Sequence, residues 1–225
     1  MRPMRENYHE ELNSVIADLV GMTAMVSTAL KESTRALLEA DLTIAEQVIS
    51  NDAKIDALHD DLEQRAFVLL ARQAPVAGEL RTVVAAMRMT FELARMGDLS
   101  AHIAKIARLR YPDKAVPADL EPSFARMAEL AGEMVETAST TLAHRDTSAA
   151  LLLADEDEEM DKLRRDQFKV LLSEDWAHGV EKAVDAALLG RYYERIADHA
   201  VALGRRIVYI ITGVAPEGEN WPNTY

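Results

Sequence analysis

The sequence contains no cysteine. That excludes disulfides, thiolate zinc sites and iron–sulfur clusters, and it agrees with a reducing compartment. Aromatic residues make up only 5%, and no alternation of β-branched residues reads as a strand. Apolar runs such as Ile207–Ile211 are far too short to cross a bilayer, so no membrane span is expected. The charged opening Arg2–Glu11 is followed by no apolar h-region, so no secretory signal is expected and the location implied is the cytoplasm. Basic residues are in deficit: the net charge is −13 and the pI is near 4.9. This argues against binding to nucleic acid and against unaided adsorption to an anionic membrane.

What is present is a globular, helix-forming mixture. Hydrophobic residues are 49% and charged ones 28% of a 225-residue chain, enough to bury one large or two small cores. Apolar residues recur at helical spacing from about Arg5 to Ala40, as Tyr8, Leu12, Val15, Leu19, Met22, Val26, Leu30, Ser33 and Leu37. A second helix follows Asp41, a suitable N-cap, and runs to about Arg72. Gln73–Val76 breaks the pattern, and Pro75 suits a first helical position. The third helix runs to about Arg110, and the proline-rich Tyr111–Ser123 segment reads as the link between two halves. A fourth helix ends near His144. A fifth, capped by Asp146, ends near Ser173, and a sixth runs from about Val180 to Thr212 with Gly213 as its C-cap. The fold class expected is all-α, with two repeated antiparallel three-helix bundles: residues 1–113, residues 114–213, and a poorly ordered tail 214–225.

The two halves share text. Asp52 and Asp56 match Asp157 and Asp161 at an offset of 105, while Asp98 matches Asp198 at an offset of 100. Glu194 and Asp198 stand four residues apart, on one helix face. The charge is uneven: residues 1–115 carry 14 Lys+Arg and 17 Asp+Glu, a net −3, whereas residues 116–225 carry 11 and 21, a net −10. In a chain so acidic about six i,i+4 acid pairs arise by chance, so a single pair carries little weight. Repetition at matched positions carries more. Clustered carboxylates are ligands for hard cations. The competing reading is neutralisation by arginines and lysines nearby, among them Lys162, Arg165, Arg191 and Arg195.

Five segments together resemble the PhoU family of bacterial phosphate-signalling regulators: Asp52-Ala-Lys-Ile-Asp56, Gln73-Ala-Pro-Val-Ala-Gly-Glu-Leu-Arg81, Arg95-Met-Gly-Asp98, Asp157-Glu-Glu-Met-Asp161 and Glu194-Arg-Ile-Ala-Asp198-His-Ala. The likeness spans all six helices and omits only the tail. It implies paired three-helix bundles with metal clusters held by Glu/Asp-x-x-x-Asp motifs. The metal ligands it implies are Asp52, Asp56, Asp98, Asp157, Asp161, Glu194 and Asp198, for iron, zinc, manganese or magnesium ions. The role implied is non-enzymatic: repression of the phosphate regulon when phosphate is plentiful, through a sensor histidine kinase and the ATPase subunit of a phosphate ABC transporter.

One departure stands out. The family has an acid four residues before the first-half Asp98, and this chain has Ala94. Glu92 lies off that face, but His102 lies on it, one turn beyond Asp98, and imidazole is a good ligand for iron, zinc or manganese. Counting carboxylates ranks the second-half site above the first. His199 points about 100° away from Asp198, which suits a packing or supporting role. Two other readings stay open: a di-iron helical enzyme with ferritin-like chemistry, or a metal-free helical scaffold. The acid-x-x-His spacings Glu6/His9, Asp56/His59 and Asp175/His178 belong to the first. Met87, Met89 and Met96 read as core filler, and the long amphipathic helices suit a homodimer.

Overall fold

The computed structural model describes residues 4–214 apart from 146, 149 and 151. Six helices account for it: α1 Met4–Glu39, α2 Leu42–Gln73, α3 Gly78–Arg110, α4 Glu121–His144, α5 Leu152–Leu171 and α6 Gly179–Thr212. No strand occurs among the described residues. The expected cap Asp146 and the tail residues 215–225 lie outside them.

Local chemistry sets the boundaries. Asp41 accepts the backbone N–H of Ile44 at 2.9 Å and opens α2, which satisfies one of the donors a helix start leaves free. Gly213 closes α6 in the left-handed region at φ 77°, its N–H donating to the carbonyl of Tyr209. Pro122 occupies the first turn of α4, where its missing N–H costs nothing. Pro75 does not take that position in α3. Ala77, at φ 50°, turns the chain after it, and the helix begins only at Gly78.

All nine positions read as the apolar stripe of α1 are buried. One 18-residue window within Asn7–Glu39 is apolar enough for a membrane span, a property that short apolar runs do not reveal. The helix's apolar side chains pack into the bundle against α2, α3 and α4, which is how a core helix comes to be as apolar. Met89 and Met96 are fully buried as expected, but Met87 is only partly covered.

α1–α3 form one bundle and α4–α6 the other, joined by α1 against α4 and α3 against α6. One hydrophobic core runs through both. α3 and α6 are antiparallel, and the contacts show it. Arg110 near the end of α3 forks onto Asp185 near the start of α6, at 2.5 and 3.1 Å, and reaches Glu181 as well. At the opposite end Arg81 reaches the carbonyl of Ile210 at 3.4 Å and lies over the Tyr209 ring. Thr23 bonds Ser139, and Thr34 bonds the fully buried Tyr193 hydroxyl. Among the described residues α2 touches only its own bundle, as does α5. The seams α2–α3 and α5–α6 therefore lie on the outside, and they carry the acidic motifs.

Candidate metal centres

In the first bundle a glycine brings the acids together. A Cβ on Gly97 would stand 3.1 Å from Ile55 and 3.2 Å from Asp52 Oδ1, tighter than ordinary van der Waals contact. Without one, α2 lies close against α3 and Asp52 reaches the turn that carries Asp98. Asp52 Oδ1 is buried and has no hydrogen-bond partner in the protein. Burial, then Asp98 and Asp56, pushes the Asp52 carboxyl up to about 6, and Lys105 opposes only part of this. Asp98 accepts a bond from Arg95 at 2.6 Å, while Asp56 is exposed. The structure thus gathers Asp52, Asp56 and Asp98 and leaves one oxygen unsatisfied. His102 sits beside Asp98 but its ring packs on Tyr192 of α6, centroids 5.5 Å apart. Burial first, then Lys105, push its pKa down, with Asp98 opposing, which favours the neutral imidazole.

The second bundle has no such glycine, since Ala197 stands in the place of Gly97, yet the matching acids act on Asp157. The Asp157 carboxyl is pushed up by burial first, then by Asp198 and Asp161, with Arg205 opposing. Asp198 is exposed overall, yet partial desolvation and then Glu194 push its carboxyl up against Arg195, Arg191 and His199. Glu194 acts on Asp157 and Asp198 but is itself paired with arginines. Its Oε1 meets Arg164 Nη1 of α5 at 2.5 Å, its Oε2 accepts a bond from Arg191, and the side chain is only 12% exposed. The neutralising residues are therefore Arg164 and Arg191. Arg165 lies 3.6 Å from Asp161 in an exposed pair, which is worth little.

Among the described residues no three His, Asp or Glu side chains already converge as a metal cage. The donor set nonetheless fits a hard cation. It is all carboxylate, neighbouring acids push Asp52, Asp157 and Asp198 up, and Asp52 holds a buried oxygen with no donor to meet it. None of the seven candidates is fully buried, unlike the inward-facing acids of di-iron bundles. The remaining histidines are scattered: His9 lies 3.7 Å from Glu79, and His178 lies 3.2 Å from Asp119.

Two features were missed from sequence. Arg164 lies thirty residues from Glu194 on another helix, beyond the reach of i,i+4 reasoning. Glu92, set aside because it lies off the Asp98 face, meets His199 Nδ1 at 2.6 Å across the α3–α6 interface. Both side chains are nearly buried, so His199 ties one bundle to the other.

Comparison with known proteins agrees with the two-bundle fold. The PhoU domain family model matches residues 19–107 and again 124–207, once per bundle. The phosphate-specific transport system accessory protein PhoU homolog 2 of Mycobacterium tuberculosis is 46% identical over 213 residues, covering 95% of this chain and all of that protein. PhoU homolog 1 of the same organism is 44% identical, covering 95% of this chain and 96% of its own. The crystal structure of PhoU from Pseudomonas aeruginosa superposes with a TM-score of 0.87 at 23% identity, covering 92% of this chain and all of that one. At that identity it shows the fold alone.

Proposed function

The chain belongs to the PhoU family, and we propose that it is a cytoplasmic, non-enzymatic adaptor that represses phosphate-starvation genes and tempers high-affinity phosphate uptake. The observation that carries this reading is the family likeness to phosphate-transport accessory proteins along 95% of the chain. The partners proposed are the ATPase subunit of a phosphate ABC transporter and a sensor histidine kinase, with a second copy of the chain completing a homodimer. At net charge −13 its effect on transcription passes through those proteins rather than through DNA.

Both outer seams offer contact surface. Phe67, Val68, Leu80 and Phe91 are exposed on the first, and Leu172, Val180, Val184 and Leu188 on the second. Exposed apolar patches of this kind mark interaction sites. Asp52, Asp56 and Asp98 would hold cations at one seam, with His102 as an additional ligand. Asp157, Asp161, Glu194 and Asp198 would do so at the other. Bound iron, zinc, manganese or magnesium would supply the positive charge that the crowded carboxylates lack. The protein's own contribution is to press two helices together at each seam and hold the acids side by side. The partial exposure of the acids favours this adaptor reading over ferritin-like chemistry.

Deleting the gene tests the function. Phosphate-starvation genes should switch on in phosphate-rich medium and return to repression when the intact chain is supplied. Normal repression in the deletion strain would overturn the proposal.

A further inference from the structure

One polar layer of the second bundle exceeds what a carboxylate needs. Arg164 and Arg191 both close on Glu194. Arg164 Nε remains buried without a partner. Three residues along α5, Gln167 is 2% exposed, and neither its amide nitrogen nor its amide oxygen has a partner. Its side chain lies against α6 at Gly190, where a Cβ would stand 2.0 Å from Oε1. Gly190 is one turn before Glu194 on the same helix face. The layer thus holds two guanidiniums on one acidic side chain, with a buried amide about one turn away along α5 and packed at the Gly190 turn of α6.

The first bundle has none of this. At the repeat offsets Arg164 becomes His59, Gln167 becomes Leu62, Arg191 becomes Phe91 and Glu194 becomes Ala94. All four positions differ, so the first bundle lacks this layer entirely. A carboxylate gives each arginine a single oxygen, whereas a tetrahedral oxyanion has oxygens for both guanidinium forks and for an amide.

We propose that Arg164, Arg191 and Gln167 form a site for a small phosphate-like oxyanion, filled here by the chain's own Glu194, and that this carboxylate is shared with the cation site beside it. The sharing rests on the cation reading above; the oxyanion site does not. While Glu194 stays with the arginines, one of four acids is withheld from cations. Moving it toward Asp157, Asp161 and Asp198 leaves two half-covered guanidiniums unpaired, a costly state. An entering oxyanion satisfies them. Cation and oxyanion therefore favour each other's binding, by equal factors in both directions.

Equilibrium dialysis of the full chain against labelled inorganic phosphate tests both parts, with metal per chain measured on the same samples. Stripped of metal, Glu194→Ala and the isosteric Glu194→Gln should each bind phosphate about tenfold tighter than wild type, within the range of typical couplings. Adding Arg164→Met to either should abolish the gain. Circular dichroism identifies any variant that has lost its helices, and Glu194→Gln serves where Glu194→Ala does not fold. No gain in a folded Glu194 variant overturns the oxyanion site. For the sharing, micromolar manganese should tighten phosphate binding to wild type about tenfold and leave Arg164→Met unchanged. Manganese that binds and is lost in Asp198→Ala, yet leaves phosphate affinity unaltered, overturns the sharing. Wild type that binds no manganese overturns the cation reading and the sharing with it, while the stripped Glu194 variants still decide the oxyanion site.

Discussion

The two bundles agree at three acidic positions and differ at four positions around them. Asp52, Asp56 and Asp98 find their counterparts in Asp157, Asp161 and Asp198, and in both bundles the second-helix aspartate is pushed up by burial and by its neighbours. Around the first trio stand His59, Leu62, Phe91 and Ala94; around the second stand Arg164, Gln167, Arg191 and Glu194. The first bundle is thus missing the partners of an acid as well as the acid. Counting carboxylates makes the second site the richer by one, yet that carboxylate is held by two arginines. Cation affinity depends on free negative charge as well as on ligand number.

Exchanging the layers between bundles gives the largest effect on stability. Leu62 is fully buried, so Leu62→Gln should cost about 3 kcal/mol, from lost apolar burial and an amide without partners. The melting temperature should fall by about 9 °C at that cost. The reverse change, Gln167→Leu, removes two unpaired polar atoms and should stabilise by about 1 kcal/mol. Thermal unfolding checks both. If Gln167→Leu destabilises instead, the Gln167 amide has a bound partner and the two layers are not simple counterparts.

A smaller effect separates the bundles by pH. In the cation-free protein Asp52 titrates at about 6, above its ordinary 3.8. A raised carboxyl favours the fold below its unfolded value and loses that advantage as pH rises through the folded one. Wild type should therefore lose stability as pH rises between about pH 4 and pH 6, and Asp52→Asn, which keeps the raised Asp157 and Asp198, should lose less. After allowance for screening of a half-exposed group, the variant gains about 1 kcal/mol at pH 8 and nothing at pH 3.5. Denaturant melts across this range measure it. Equal gains at both pH values would mean that burial and neighbouring acids do not act on Asp52.

The helices were legible because their signals are local. A 3.6-residue apolar stripe, an aspartate at an N-cap and a glycine at a C-cap act within one or two turns, and each fell where expected. Pro75 misled, because the left-handed Ala77 that delays α3 carries no sequence mark of its own. The aspartate trios were legible through repetition. The Arg164–Glu194 pair and the Glu92–His199 pair were not, since each joins helices whose register only packing decides. The pairing of α3 with α6 could have been sought by laying the two halves antiparallel, which brings residue 92 opposite the region of residue 199.

Elemental analysis of metal per chain, after equilibration with manganese and gel filtration, tests most directly whether the paired seams hold cations. Wild type should retain metal, Asp157→Ala should lose most of that held by the second bundle, and Glu194→Ala should lose less, because two arginines already hold that carboxylate. Ala94→Glu supplies the first bundle with a fourth carboxylate that has neither Arg164 nor Arg191 for company, since His59 and Phe91 occupy the matching positions. It should therefore bind more metal than wild type and be stabilised by it. If Asp157→Ala keeps its metal and Ala94→Glu gains none, the seams do not hold cations through these carboxylates.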